Sequence, residues 1–163
     1  MIGMPACGKS MIGVLLAKRI GYAFLDMDLV IQEREGQLLK EIIAKRGMDG
    51  FAALENQVCA SVDVRRTIIA PGGSVVYGRE AMAHLKSIGQ VIYLKLGFEA
   101  LCGRIGDVVD RGVVLRPGMT LRDLYDERVP MYERYADITI DEDGKGPGEV
   151  VDELRALLEK RME

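Results

Sequence analysis

The 163-residue sequence holds only three cysteines and one histidine. Cys7, Cys59 and Cys102 are odd in number, far apart and form no C-x-x-C pair, so neither a disulfide framework nor a zinc site is suggested. A reduced, cytoplasmic setting is expected. His84 stands among polar neighbours on a helical stretch, so a surface position without a role is expected. No apolar run is long enough to span a bilayer. Met1–Ser10 lacks the basic start and apolar core of a signal peptide. There is no excess of positive charge: 22 Lys and Arg face 25 Asp and Glu, for a net charge of −3. Polyanions repel such a surface, so partnership with nucleic acid or a membrane is not expected. The chain also lacks internal repeats, low-complexity tracts and linkers. With 48% hydrophobic residues it can bury one core, and a single domain over residues 1–163, acting as a monomer, is expected.

Short apolar runs alternate with helical spacing. Ile12, Leu15, Leu16 and Ile20 recur at helical intervals within residues 10–20. Strands are expected at 22–25, 67–70, 91–96 and 137–140. Helices are expected at 29–35, 38–45, 51–62, 79–87, 98–104, 121–135 (with Pro130 inside) and 149–160. Residues 106–119 carry Gly and Pro without a clean period and read as a loop or lid. Strands separated by helices predict an α/β fold with a parallel sheet and helices on both faces.

The densest signal is at the start. Gly3 to Ser10 reads G-x-x-x-x-G-K-S. Its glycines let successive backbone N–H groups curl around phosphate oxygens, and the following helix aims its positive end at them. Lys9 supplies a point charge for the β- and γ-phosphates, and the Ser10 hydroxyl is a Mg²⁺ ligand. Chance would give such a match in about one chain in a hundred of this length. Cys7 lies inside the loop, where it reads as a tolerated small residue rather than a reactive thiol.

Leu25-Asp26-Met27-Asp28 follows the second strand position, and alternation sends both carboxylates the same way. Strand ends of this kind line the ligand crevice of open α/β sheets. Two carboxylates there can assist Mg²⁺ and accept a hydroxyl proton. Helix capping by Asp28 is the structural alternative.

Further motifs follow in order: F-x-x-x-E at Phe51–Glu55, P-G-G at Pro71–Gly73, R-P at Arg116–Pro117 and E-R-x-P-x-Y at Glu127–Tyr132. The ordered set resembles the shikimate kinase family across essentially the whole chain. The resemblance implies a P-loop kinase of the nucleoside monophosphate kinase-like fold: a three-layer α/β/α sandwich around a five-stranded parallel sheet. It implies ATP- and Mg²⁺-dependent phosphorylation of a hydroxyl on shikimate or a related hydroxy acid, a step of aromatic amino acid biosynthesis. ATP would be held by the loop residues Gly3, Pro5, Ala6, Cys7, Gly8, Lys9, Ser10 and Met11, by Arg104 against adenine and by the Gly146-Pro147 turn. Ser10 and Asp26 would hold the metal. Asp28 would orient or deprotonate the acceptor hydroxyl, and Arg116, in a lid over 106–119, would stabilise the γ-phosphoryl. Gly72, Gly73 and Arg128 would bind the acceptor, Arg128 through its carboxylate. Lys9, Asp28 and Arg116 form the catalytic set. Arg111 and Arg122 are expected to be solvated surface charges.

The sequence departs from that family where the family has F-R-x-x-E and G-G-G: here Ala52 replaces the arginine and Ser74 the third glycine. The interval from Arg104 to Arg116 is also longer. Three readings stand: a shikimate kinase with a rearranged pocket, a kinase for a different small polyol or hydroxy acid, and a nucleotide-binding regulator without turnover. Retention of Asp28 and Arg116, which ATP binding alone does not need, weighs against the third. One expectation concerns the start. A phosphate loop hangs from a central apolar strand of about five residues, yet only Met1 and Ile2 precede it, so the first strand reads as truncated.

Overall fold

The computed structural model describes residues 1–106, 113 and 115–162, with side chains to residue 160. Helix α1 (Lys9–Ile20) leaves the glycine loop directly and buries Ile12, Gly13, Leu16 and Ala17. Strand β1 (Ala23–Asp26) leads without a gap into α2 (Met27–Glu35). Asp26 caps that helix, its carboxylate accepting from the Asp28 N–H at 3.0 Å. The capping alternative therefore falls to Asp26 and leaves the Asp28 side chain free for other work. Helix α3 (Leu39–Ala60) carries one non-helical residue, Gly47, at φ 71° and ψ 178°. That dihedral pair is open to glycine and strained elsewhere, which is why the two stretches expected at 38–45 and 51–62 join across a kink.

Strand β2 (Thr67–Ala70) runs into Pro71-Gly72-Gly73, followed by a 3₁₀ turn (Val75–Tyr77) and α4 (Arg79–Ile88). Strand β3 (Ile92–Lys95), α5 (Phe98–Ile105), α6 (Leu121–Tyr135), β4 (Ile138–Asp141) and α7 (Pro147–Met162) complete the order. Thr120 and Asp123 form a reciprocal capping box at the start of α6, a signal worth about 1 kcal/mol. Of the expected lid, Gly106, Val113 and residues 115–119 are described; Arg111 and the rest lie outside the described residues.

Among the described residues the strands form two parallel pairs. Ala23–Asp26 lies in register with Thr67–Ala70, and Ile92–Lys95 with Ile138–Asp141. The first two residues link the pairs. Ile2 bridges Tyr93 in parallel, donating to the Ile92 carbonyl at 2.7 Å and accepting from the Leu94 N–H at 2.9 Å. On its other side the Met1 nitrogen donates to the Ile69 carbonyl at 2.6 Å. A cavity of about 660 Å³ opens beside them, lined by Met1 and Ile2 with residues of β2 and β3.

Parallel strands covered on both faces must be apolar along their length, and Ile92, Tyr93 and Leu94 are all buried. Helix α1 packs on α7 and against β1 and β2, and α3 packs on α4. Tyr93 stacks on Tyr132 of α6 with ring centroids 5.2 Å apart. The Tyr132 hydroxyl donates to the Gly73 carbonyl at 2.6 Å. That pair fixes α6, and Arg128 one turn earlier, against the loop that follows β2.

Candidate active site

The carboxyl ends of β1 and β2 and the loop after Ile2 open on one side, where ligands of open α/β sheets bind. They surround a cavity of about 850 Å³. Its walls include Pro5, Ala6, Gly8, Lys9, Ser10 and Met11 of the loop, Asp26 and Asp28, Gly72 and Gly73, and Arg104, Arg116 and Arg128. Gly3, Cys7, Gly146 and Pro147 do not line it.

The loop needs its first glycine. Gly3 sits at φ 153°, and a Cβ there would lie 2.7 Å from the Leu94 carbonyl oxygen and 2.8 Å from Cys7 Sγ. Ala6 also takes a positive φ, 63°, a strain that non-glycine residues accept mainly at functional turns. Lys9 Nζ folds back on the loop and donates to the Gly3 and Met4 carbonyls, each at 2.9 Å. Cys7 is fully buried, and burial pushes its thiol pKa up, so it has no thiolate character.

Ser10 Oγ donates to Asp26 Oδ2 at 3.0 Å. A hydroxyl and a carboxylate side by side are the oxygen donors Mg²⁺ prefers when phosphates and waters complete its shell. Asp28 is half-buried. Burial first, then the Asp26 charge, raises its pKa, and Lys9 opposes the rise. A carboxylate shifted in this way is a better proton acceptor.

The loop after β2 forms the opposite wall. A Cβ on Gly72 would lie 2.6 Å from Glu55 Oε1 and 3.3 Å from Asp28 Oδ1; on Gly73 it would lie 3.1 Å from Arg128 Nη1. Glu55, on α3, is 2% exposed. Its Oε2 accepts from Ser74 Oγ at 2.5 Å, while Oε1 has no partner among the described residues. Burial, reinforced by Asp28 and opposed by Ser74, Arg128 and Lys9, pushes its pKa up to about 7. Arg128 is 7% exposed. Its guanidinium lies over the Tyr77 ring, 5.4 Å from the centroid, and Nε donates to the Tyr77 hydroxyl at 3.4 Å. Among the described residues no carboxylate pairs with it.

The Tyr77 hydroxyl in turn donates to Glu127, which pairs at 3.7 Å with Arg116. Arg104 lies 3.6 Å from Glu142 and donates to the Cys7 carbonyl at 3.4 Å. Glu142 is 1% exposed, and burial raises its pKa to about 7 against the pull of Arg104. Arg122 is a surface charge as expected, paired with Asp126. His84 differs from expectation: it is half-buried and its Nε2 lies 2.6 Å from the Val62 carbonyl.

Sequence reasoning gave no role to Glu55, Tyr77 or Glu142. Two of them carry a readable signal. Glu55 interrupts the apolar stripe of Phe51, Val58 and Cys59 on α3. Glu142 continues the buried alternation of Ile138 and Ile140.

A glycine-rich loop of phosphate-binding pattern, a hydroxyl–carboxylate pair, a raised carboxylate and three arginines around one cavity, on an α/β scaffold, define a P-loop small-molecule kinase. Comparison narrows the class. Residues 5–159 match the family described as Shikimate kinase, and the chain belongs to that family. A shikimate kinase of Geobacter metallireducens is 34% identical over 99% of this chain and 91% of its own length. Among solved structures, the shikimate kinase of Aquifex aeolicus superposes with a TM-score of 0.83 at 32% identity, covering 99% of this chain and 95% of that one. The shikimate kinase of Acinetobacter baumannii, in complex with shikimate, superposes with a TM-score of 0.87 at 28% identity, covering 98% and 91%.

Proposed function

We propose that this chain transfers the γ-phosphoryl group of ATP to a hydroxyl of shikimate, in the cytoplasm, as a single-domain monomer. The observation that carries the reading is the Arg128 guanidinium: buried, without a carboxylate partner among the described residues, on the wall of the cavity that Lys9 and Asp28 also line. A buried cation left unpaired is costly, and a hydroxy acid supplies both the missing anion and, elsewhere on the same molecule, the hydroxyl to be phosphorylated. The Acinetobacter baumannii relative was solved with shikimate bound, which supports this acceptor.

In this reading the acceptor carboxylate pairs with Arg128, and its hydroxyl lies against Asp28. The hydroxyl oxygen attacks the γ-phosphorus, the bond from γ-phosphorus to the β,γ-bridging oxygen breaks, ADP leaves, and the hydroxyl proton passes to Asp28. Lys9 leaves the Gly3 and Met4 carbonyls for the β- and γ-phosphates. Arg116, already on the cavity wall, neutralises the equatorial oxygens, and Arg104 with the Gly146-Pro147 turn borders adenine. Ser10 and Asp26 would hold Mg²⁺, which supplies charge neutralisation between the β- and γ-phosphates. The sheet, in the same reading, is a single five-stranded one in a three-layer sandwich, with residues 1–2 in the central position between β2 and β3.

ADP release from purified protein with ATP, Mg²⁺ and a panel of hydroxy acids and polyols tests the proposal. Saturable release with shikimate supports it. Release with another acceptor alone selects the second reading, which Ala52 on the cavity wall favours. No release with any acceptor sinks the kinase reading.

A further inference from the structure

We propose that Glu55 enters the acceptor complex as a neutral carboxylic acid whose Oε1–H donates to the acceptor carboxylate beside the Arg128 guanidinium. The inference rests on the function proposed above and assigns a specificity-determining residue to its pocket.

Three features of the geometry lead to it. First, Glu55 Oε1 is buried and has no hydrogen-bond partner among the described residues, while Ser74 fixes the other oxygen. A buried polar atom with no protein partner is completed by water or by a ligand. Second, Oε1 abuts Gly72 and Arg128 Nη1 abuts the adjacent Gly73, so both face one short loop of the acceptor wall. Third, no cation stands near Glu55 on its own helix. The residue three positions earlier, which shares its face, is Ala52, and it lines the same cavity.

Charge decides the protonation state. The charged or titratable groups facing Glu55 are Asp28 from α2, Arg128 from α6 and Lys9 at the start of α1, with Cys59 one turn on along α3. Cys59 stays neutral, its thiol pushed up to about 12. Lys9 belongs to the phosphates. An ionised Glu55 beside an ionised Asp28 would outnumber Arg128 and repel an anionic acceptor. One proton on Glu55 removes that excess and creates a donor where Ala52 supplies none. Burial already pushes Glu55 up to about 7, and Arg128 is among the groups holding it down. An acceptor carboxylate that neutralises Arg128 weakens this opposition and drives proton uptake further.

The sign follows. The protonated form binds, so acceptor affinity is full below pH 7 and falls as pH rises through it, up to tenfold per unit. Between pH 6 and 8.5 the KM for shikimate should rise by up to about thirtyfold. Glu55→Gln, which carries N–H donors and has no proton to lose, should remove the rise. Ala52→Arg, which puts a guanidinium one turn away, should hold Glu55 ionised and flatten the profile as well. Infrared spectroscopy provides a readout independent of turnover. Wild-type protein should show a carboxylic-acid C=O band titrating near pH 7 that Ala52→Arg removes; Glu142 titrates in the same range but is untouched by that change. A flat wild-type KM, a rise that survives in Glu55→Gln, or no band lost in Ala52→Arg overturns the proposal. Absence of shikimate turnover at every pH overturns the function reading instead, and the infrared difference still decides the state of Glu55.

Discussion

Replacing Arg128 with methionine should move binding and stability in opposite directions. In the free protein this guanidinium is almost wholly buried, with a phenol hydroxyl and an aromatic face around it but no carboxylate in ion-pair contact among the described residues. Methionine keeps the aliphatic stem and the contact with the Tyr77 ring and removes the charge. Exchanging buried ionic groups for apolar ones of similar volume is neutral or stabilising by about 1–4 kcal/mol. At this chain length 1 kcal/mol corresponds to about 2–4 °C in Tm, so Arg128→Met should melt with the wild type or a few degrees above it. The acceptor complex behaves oppositely. In the proposed complex Arg128 is one half of a buried ion pair, and deleting one half costs about 3–5 kcal/mol, which is about a hundredfold to several thousandfold in affinity. Differential scanning calorimetry without ligand and steady-state kinetics with shikimate measure the two. A Tm lowered by more than about 5 °C would show that Arg128 is a structural cation; a KM within about threefold of wild type would show that it is not the acceptor's anchor.

Lys9→Ala should lower kcat by about 10²–10³, the usual effect of deleting one group aimed at developing charge, measured by ADP release; wild-type turnover would remove the phosphate-loop assignment. Asp26 has two duties that separate by substitution. Asp26→Ala should lose the α2 cap, about 1 kcal/mol, whereas Asp26→Asn keeps it; both should raise the Mg²⁺ concentration for half-maximal rate by about tenfold or more. Unequal Mg²⁺ effects in the two variants would break the pairing of Asp26 with the metal. Glu142 has a folded pKa of about 7 against an ordinary 4.5. Its folded state holds the proton more tightly, so its stability is full below about pH 4.5, declines as pH rises and is lost above about 7. Glu142→Gln should therefore match wild type in Tm at pH 5 and exceed it by several degrees at pH 8, for at most about 3 kcal/mol; an offset independent of pH would refute the assignment.

Local patterns made much of the molecule readable. Thr67–Ala70 and Leu121–Tyr135 fall where the apolar periods place them, because each element's burial matches its own repeat. The kink at Gly47 was not readable. Two helices meeting at a glycine and one helix bent there share a pattern, and the difference lies in packing. The duties of Asp26 and Asp28 were also ambiguous. Alternation put both carboxylates on one side, but which of them caps α2 depends on where β1 stops, and an element's end is set by tertiary contacts. The phosphate loop was legible because its chemistry is local to eight residues. The Glu55–Ser74 contact, spanning 19 positions, and the Tyr77–Glu127 contact, spanning 50, exist only once α3, α6 and the loop after β2 converge.

In the proposed reading, the chain of contacts Arg116–Glu127–Tyr77–Arg128 joins a cation near the nucleotide end of the cavity to the cation at its acceptor end. Its first link is exposed, with Arg116 at 59% and Glu127 at 36%, and an ion pair so placed contributes about 0–1 kcal/mol. The weakest link caps what the relay can transmit. Through this route either substrate can change the other's affinity by at most about fivefold, and linkage makes that factor the same in both directions. Any stronger recruitment of one substrate by the other has to run by another route, through Lys9, whose charge bears on both Asp28 and Glu55.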